Sequence, residues 1–241
     1  MQIHIQQLKK EYSSVPVLDI PELQIAPGEL LGIVGNNGAG KTTMLRLVLD
    51  LIMASDGFVE IGQEKVHESN AWKTKTGSFL DEGFLIGFLT PEEYFYFNGE
   101  VYGLSAEEVD ERLEEYKPLM GDEILGTDKY IRQLSTGNKQ KVGIIAAMLV
   151  NPSLLLLDEP YNFLDPTSQL IVKNLLHQKN EQRGTTILIS SHNINHLAGL
   201  CSRVVLLEKG KIIKDIKPGE KDELQEIEEY FNRRAQLPQN S

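Results

Sequence analysis

The chain has 241 residues, 41% of them hydrophobic, which suits one large α/β domain with a proper core and room for an inserted subdomain. Its formal net charge is −11 and its pI is near 5.0. That balance argues against a nucleic-acid surface and against electrostatic adsorption to anionic lipid, since both need a basic footprint. The single cysteine, Cys201, excludes an intramolecular disulfide, fits a reducing cytosol, and reads as a small buried side chain rather than a reactive thiol.

From the N-terminus, residues 1–6 alternate apolar and polar as a strand does, and residues 3–7 and 58–61 look like short strands of one sheet. No basic region followed by a long apolar stretch opens the chain, so no signal peptide is expected. Pro27-Gly28 marks a turn into Leu30–Val34, an apolar run that reads as a buried strand. Gly35-Asn36-Asn37-Gly38-Ala39-Gly40-Lys41-Thr42 follows and fits G-x-x-x-x-G-K-[ST] without a mismatch. Residues 43–49 then read as a helix. Strand, glycine loop and helix together form a phosphate cradle: the backbone N–H groups turn toward an anion, and the helix N-terminus adds partial positive charge. In such a cradle Lys41 reaches the β and γ phosphates, and Thr42 offers its hydroxyl to Mg²⁺. The plainer alternative is a glycine-rich turn before a helix, and the flanking strand and helix speak against it.

The middle of the chain, 81–150, reads as mostly helical. Thr90-Pro91-Glu92-Glu93 and Ser105-Ala106-Glu107-Glu108 are capping boxes, and the second opens an amphipathic stretch through Val109, Leu113 and Tyr116. Five of the eight phenylalanines, Phe79, Phe84, Phe88, Phe95 and Phe97, crowd into residues 79–97. Tyr94-Phe95-Tyr96-Phe97 puts four aromatics in a row. Helical residues turn by about 100° each, so these four cannot share one buried face. Some must face outward or line a groove, which suits a partner surface; packing wholly inside the helical region is the alternative. Leu134-Ser135-Thr136-Gly137-Asn138-Lys139-Gln140 then precedes an apolar helix, and a serine and glycine at a helix start make either a plain N-cap or a second anion-binding terminus. The longest apolar region, 142–157, is broken by Asn151-Pro152-Ser153 and is not a membrane span.

Leu154–Leu157 and residues 186–189 are short continuous apolar runs typical of buried parallel strands. The first ends in Asp158-Glu159. Strand C-terminal ends face the ligand crevice of a parallel sheet, which places Asp158 to hold Mg²⁺, directly or through water, and Glu159 to polarise an attacking water. An ordinary strand-end acid pair is the plainer reading; the phosphate loop upstream favours the catalytic one. Asp165-Pro166 starts the next helix. Residues 204–207, 208–210 and 211–215 read as strand, turn and strand. Residues 219–241 form an acidic tail whose charge run reads as a solvated helix.

In this order the motifs resemble the ATP-binding cassette ATPases, the nucleotide-binding subunits of ABC transporters, from Tyr12 to His192. The resemblance implies one α/β nucleotide-binding domain over 1–241: a P-loop NTPase core with an N-terminal antiparallel β subdomain (about 1–80 and 151–218) and an inserted α-helical subdomain (about 81–150). It implies that ATP and Mg²⁺ are held by Gly35, Asn36, Asn37, Gly38, Ala39, Gly40, Lys41, Thr42 and Thr43, with Thr42, Asp158 and Asp81 toward the metal. Leu134-Ser135-Thr136-Gly137-Asn138 is similar to the family's LSGGQ, which caps the γ-phosphate held by a partner's loop. That gives Ser135, Gly137 and Asn138 a role in a head-to-tail dimer. Tyr12 resembles the aromatic that stacks on adenine, although a half-buried strand-end tyrosine is the plainer reading. Leu164-Asp165 resembles the D-loop that couples the two sites. His192, in Ser190-Ser191-His192, resembles the switch histidine at the γ-phosphate, so Glu159, His192 and Lys41 are the expected catalytic residues. His4, His67, His177 and His196 have no comparable context.

The chain departs from the family pattern at several points. Asp81, followed by Glu82, stands where the family usually has Gln; an acid there resembles drug- and bacteriocin-export cassettes. Thr136 and Asn138 replace the family's Gly and Gln, and Phe163 stands in the D-loop where a small residue is common. The expected function is ATP hydrolysis on the cytoplasmic face of the membrane, driving a separate integral membrane permease, in the export direction, with a second nucleotide-binding subunit as homo- or heterodimer. Membrane contact is expected only through the permease. Two alternatives remain: a soluble cassette ATPase in assembly or scaffold work, against which stand the lack of a cysteine cluster and of a second cassette, and a regulatory module that holds ATP without hydrolysing it.

Overall fold

A computed structural model describes residues 1–217; the expectation for the tail falls outside the described residues. The chain runs through β1 (Ile3–Tyr12), β2 (Val15–Ile25), β3 (Leu30–Val34), α1 (Lys41–Val48), β4 (Asp56–Ile61), β5 (Glu64–Lys65) and β6 (Thr76–Phe79). The helical region holds α2 (Pro91–Val101), α3 (Ala106–Leu113), α4 (Lys117–Met120) and α5 (Thr136–Leu149). The chain then returns through β7 (Leu154–Leu157), α6 (Pro166–Arg183), β8 (Thr186–Ser191), α7 (Ile194–Leu197), β9 (Arg203–Glu208) and β10 (Lys211–Ile216).

Two sheets form. An antiparallel one has the order β2-β1-β4-β5, and a larger one has the order β10-β9-β3-β8-β7-β6. In the larger sheet β3, β6, β7, β8 and β9 pair in parallel, and β10 closes one edge antiparallel to β9. Alternation along the parallel strands divides the interior in two. Leu30, Val34, Leu155, Leu157, Ile187 and Ile189 face a core shared with α5, α6 and the helical region. Leu31, Ile33, Leu154, Leu156 and Leu188 face the other core, with Met44, Leu45, Leu47 and Val48 of α1 and the inner face of the antiparallel sheet. Burial on both faces explains the unbroken leucine run of β7: each side of the strand meets a hydrophobic layer.

Both capping boxes form. Thr90 accepts from the Glu93 amide at 3.2 Å and Ser105 from the Glu108 amide at 3.2 Å, with both glutamates reaching back. The helical region is tied to α6 by a buried charge: Lys179 Nζ donates to Glu115 at 2.7 Å and to Asn151 at 3.0 Å. Cys201 packs against the first core, and burial pushes its thiol up, away from a reactive thiolate. Among the described residues no helix is long and apolar enough to cross a membrane.

Candidate functional site

The loop after β3 is shaped by close backbone packing. A Cβ at Gly35 would lie 2.4 Å from the Leu207 carbonyl oxygen, and Gly40 has a φ of 106°. Only glycine meets both demands without moving the chain. The Gly210 amide donates to the Ala39 carbonyl and the Asp19 amide to the Gly210 carbonyl, each at 2.8 Å. The β1–β2 hairpin is thereby fixed beside the loop. Asn36, Asn37 and Gly38 remain exposed at its mouth. Helix α1 starts directly after Gly40 with no side-chain cap and no acidic residue in its first turn. Its first N–H groups point out of the helix end uncapped by any side chain, as an anion site requires.

Lys41 is buried, at 6% exposure. Its ammonium donates to the Gly35 carbonyl at 2.7 Å and the Asn36 carbonyl at 3.3 Å, and lies 3.1 Å from Glu159 Oε1. Thr42 Oγ1 donates to Asp158 Oδ2 at 2.5 Å. Thr43 is half-buried beside them. The ends of β7 and β8 complete the site. Asp158 also accepts from the Ser190 hydroxyl, whose Oγ in turn accepts from the Glu159 amide at 2.9 Å. Burial raises the Asp158 pKa above its ordinary value, with the Ser190 and Thr42 hydroxyls opposing that shift. Glu159 has a φ of 47°, a region few non-glycine residues adopt. Its Oε2 meets the His192 amide at 3.1 Å and His192 Nδ1 at 2.9 Å.

The structure thus brings Gly35, Lys41, Thr42, Asp158, Glu159 and His192 together. A buried ammonium and an uncapped helix start fit a polyphosphate. A hydroxyl and a carboxylate in contact are hard oxygen donors, fitting a Mg²⁺ beside it. Tyr12 lies on the neighbouring hairpin, half exposed, with Lys10 Nζ 4.8 Å from its ring centroid.

The other expected residues make separate contacts within the chain. Asp81 caps the turn at 82–84, accepting from the Gly83 amide at 2.8 Å, and pairs with Arg46 at 3.4 Å. Its carboxylate makes no hydrogen bond to Thr42 or Asp158; Arg46, one turn along α1 from Thr42, engages it instead. Glu82 pairs with Lys139 at 3.2 Å. Ser135 is the N-cap of α5, accepting from the Asn138 amide at 3.2 Å. Asn138 is buried and donates to Glu123 at 3.0 Å, so its amide faces its own lobe. Gly137 presses on the backbone at Phe163, whose carbonyl oxygen would lie 2.8 Å from an added Cβ. Phe163 itself is 71% exposed with a φ of 64°. Asp165 caps α6, accepting from the Ser168 amide at 3.0 Å.

Sequence reasoning gave no role to Ser190 alone, to Arg46 or to Gln140, whose Nε2 donates to the Glu159 carbonyl at 3.2 Å. Ser190 adjoins the motif ending at His192, and its place in the last pair of residues of β8 was the available signal. The other two carry none.

Known proteins resemble the chain in sequence and in fold. The family described as ABC transporter matches residues 18–162. The chain is 35% identical to the methionine import ATP-binding protein of Xanthomonas campestris over 88% of this chain and 66% of that one, so it spans about two thirds of that relative's length. It is 32% identical to the bacitracin transport ATP-binding protein of Bacillus licheniformis, over 87% of this chain and 67% of that one. Among solved structures, the dimeric structure of a bacterial ABC transporter cassette superposes with a TM-score of 0.80 at 26% identity, covering 89% of this chain and 98% of that one. A post-hydrolysis state of the same cassette, bound to ADP and Pi, gives 0.80 at 27% identity, with the same coverage.

Proposed function

We propose, for a chain that belongs to the ABC transporter family, that it binds and hydrolyses ATP as the motor subunit of a transporter. The observation that carries this reading is the convergence of Lys41, Thr42, Asp158, Glu159 and His192 at an uncapped helix start.

Lys41 and the loop amides hold the phosphates and offset their charge. Thr42 and Asp158 would hold Mg²⁺, which when bound neutralises charge on the phosphate oxygens. Glu159 accepts a proton from, and orients, the water that attacks in line. His192 keeps Glu159 in position and reaches the γ-phosphate. The work is positioning and charge stabilisation, with no covalent intermediate on the protein. Tyr12 offers one ring face to adenine; Lys10 lies against the ring. Ser135 and Gly137 meet the nucleotide of a second copy or a homologous subunit, so closure of the pair on ATP completes both sites.

The partner in the membrane is a separate permease. A cavity of about 300 Å³ lined by Leu49, Trp72, Leu80, Phe84 and Tyr102 opens between α1 and the helical region. Phe84, which lines it, is 50% exposed, and Phe88 and Phe97 of the same stretch are 68% and 47% exposed, apolar surface that supports a docking role. Export is supported by the acid at Asp81; the methionine import relatives stand on the other side of that question. Release of inorganic phosphate by the purified chain with MgATP tests the proposal. No phosphate above the blank, with ATP bound, would leave a binding module.

A further inference from the structure

Helix α5 grips the segment that carries Glu159 at two points. One turn into the helix, Gln140 is 8% exposed and donates to the Glu159 carbonyl at 3.2 Å. At the helix start, Gly137 packs on the Phe163 carbonyl. Both contacts are to backbone oxygens of the stretch between β7 and α6.

Glu159 needs such support. Its left-handed φ of 47° is a conformation that an L-residue with a long side chain leaves unless its surroundings hold it. Its amide is tied to Ser190 of β8. Its carbonyl accepts from the Asn162 amide at 3.1 Å and from Gln140. Of these three ties, only Gln140 comes from the helical region. A satisfied core amide is the ordinary explanation of a buried glutamine, but here its donor is spent on the backbone of the residue that orients water.

We propose that Gln140 is a positioning residue for Glu159, through which helix α5 sets the orientation of the catalytic carboxylate. This rests on the reading of Glu159 as the water-orienting residue and of Ser135 and Gly137 as facing the nucleotide of a second copy. The same helix then begins at one site and steadies the glutamate of the other. Any displacement of α5 as residues 135–137 engage nucleotide is passed to the Glu159 backbone. Hydrolysis in each site thereby depends on closure over its neighbour.

The test is Q140M, which keeps length and volume but loses the donor. Asn162 still satisfies the Glu159 carbonyl, so no buried acceptor is orphaned. Wild type and variant are compared in phosphate release, ATP binding by calorimetry, and thermal melting. The expected result is a kcat about tenfold lower with KM for ATP within about twofold and an unchanged melting temperature, the pattern of a lost positioning contact. Hydrogen exchange in residues 158–164 rises in parallel. Equal kcat in an active wild-type background overturns the inference. A wild type that neither binds nor hydrolyses ATP overturns instead the reading beneath it. If Q140M lacks a cooperative melt, Q140E carries the same prediction, since it replaces the donor by an acceptor. If neither variant folds, Gln140 serves stability alone and the inference falls.

Discussion

Lys41 Nζ and Glu159 Oε1 lie 3.1 Å apart, joining the phosphate loop to the end of β7 in one ion pair. In the proposed mechanism, a phosphate that takes Lys41 as its partner frees Glu159 to meet water.

Removing Lys41 therefore has two effects. Lys41→Met deletes the phosphate contact and leaves Glu159 beside uncompensated phosphate charge. Charge-assisted hydrogen bonds contribute about 1.5–3 kcal/mol each. Calorimetry should show ATP affinity falling by about 10- to 150-fold.

A pH effect follows from Asp165. The Ser168 hydroxyl and amide hold its carboxyl below the ordinary value of 3.8. The folded state thus binds this proton less tightly than the unfolded chain. The cap's contribution is complete above the ordinary value and is lost as pH falls through the lower folded one. Asp165→Ala should melt earlier than wild type at neutral pH, and the two curves should converge in strong acid. Asp165→Asn, which still caps but does not titrate, should stay close to wild type at neutral pH and exceed it in strong acid. A gap between Asp165→Ala and wild type that persists unchanged in acid would contradict this.

Lys179 is 2% exposed in side-chain area, and burial lowers its pKa while Glu115 acts in the opposite sense. Glu115→Ala leaves that ammonium short of its anion. Breaking a buried pair on one side costs about 3–5 kcal/mol, so denaturant unfolding should show a loss of that order. Lys179→Met, which removes the buried charge itself, should cost less.

Phe84, Phe88 and Phe97 tested as serines should leave ATP binding intact and weaken recovery of the permease in a pull-down. Their exposure means the free protein loses little by the change. Unchanged recovery of the permease removes these side chains from the interface.

Much of this structure was legible in the sequence, for reasons that differ by element. β3 and β7 stood out because strands buried on both faces carry unbroken apolar runs. The helix starts at Thr90, Ser105 and Asp165 were readable because capping is local chemistry. The outward turn of part of the Tyr94–Phe97 run followed from helical geometry: Phe95 is fully buried while Phe97 is 47% exposed. β2 was missed. It contains Pro16 and Pro21, which speak against a central strand, but it lies at an edge of its sheet, where proline is tolerated. β1 reaches Tyr12, past Gln7 with its φ of 47°, beyond the short strand the alternation suggested. Within the candidate site, Lys41, Thr42, Asp158, Glu159 and His192 could be picked out because each falls in a short contiguous motif. Arg46 against Asp81, Glu123 against Asn138 and Gln140 against Glu159 were not. Each depends on a partner at least 15 positions away in the chain, and no local pattern announces such a pair.

The account depends on a site finished by a second subunit. Glu159→Gln keeps the side chain's size beside Lys41 and His192 but removes the carboxylate proposed to orient water. Sedimentation velocity of this variant at micromolar concentration, with and without MgATP, measures that dependence most directly. A shift from monomer to a stable dimer with ATP, with phosphate release reduced about 100-fold or more, is the result expected. A monomer that binds ATP fully and never pairs, or a variant that turns over like wild type, contradicts the mechanism.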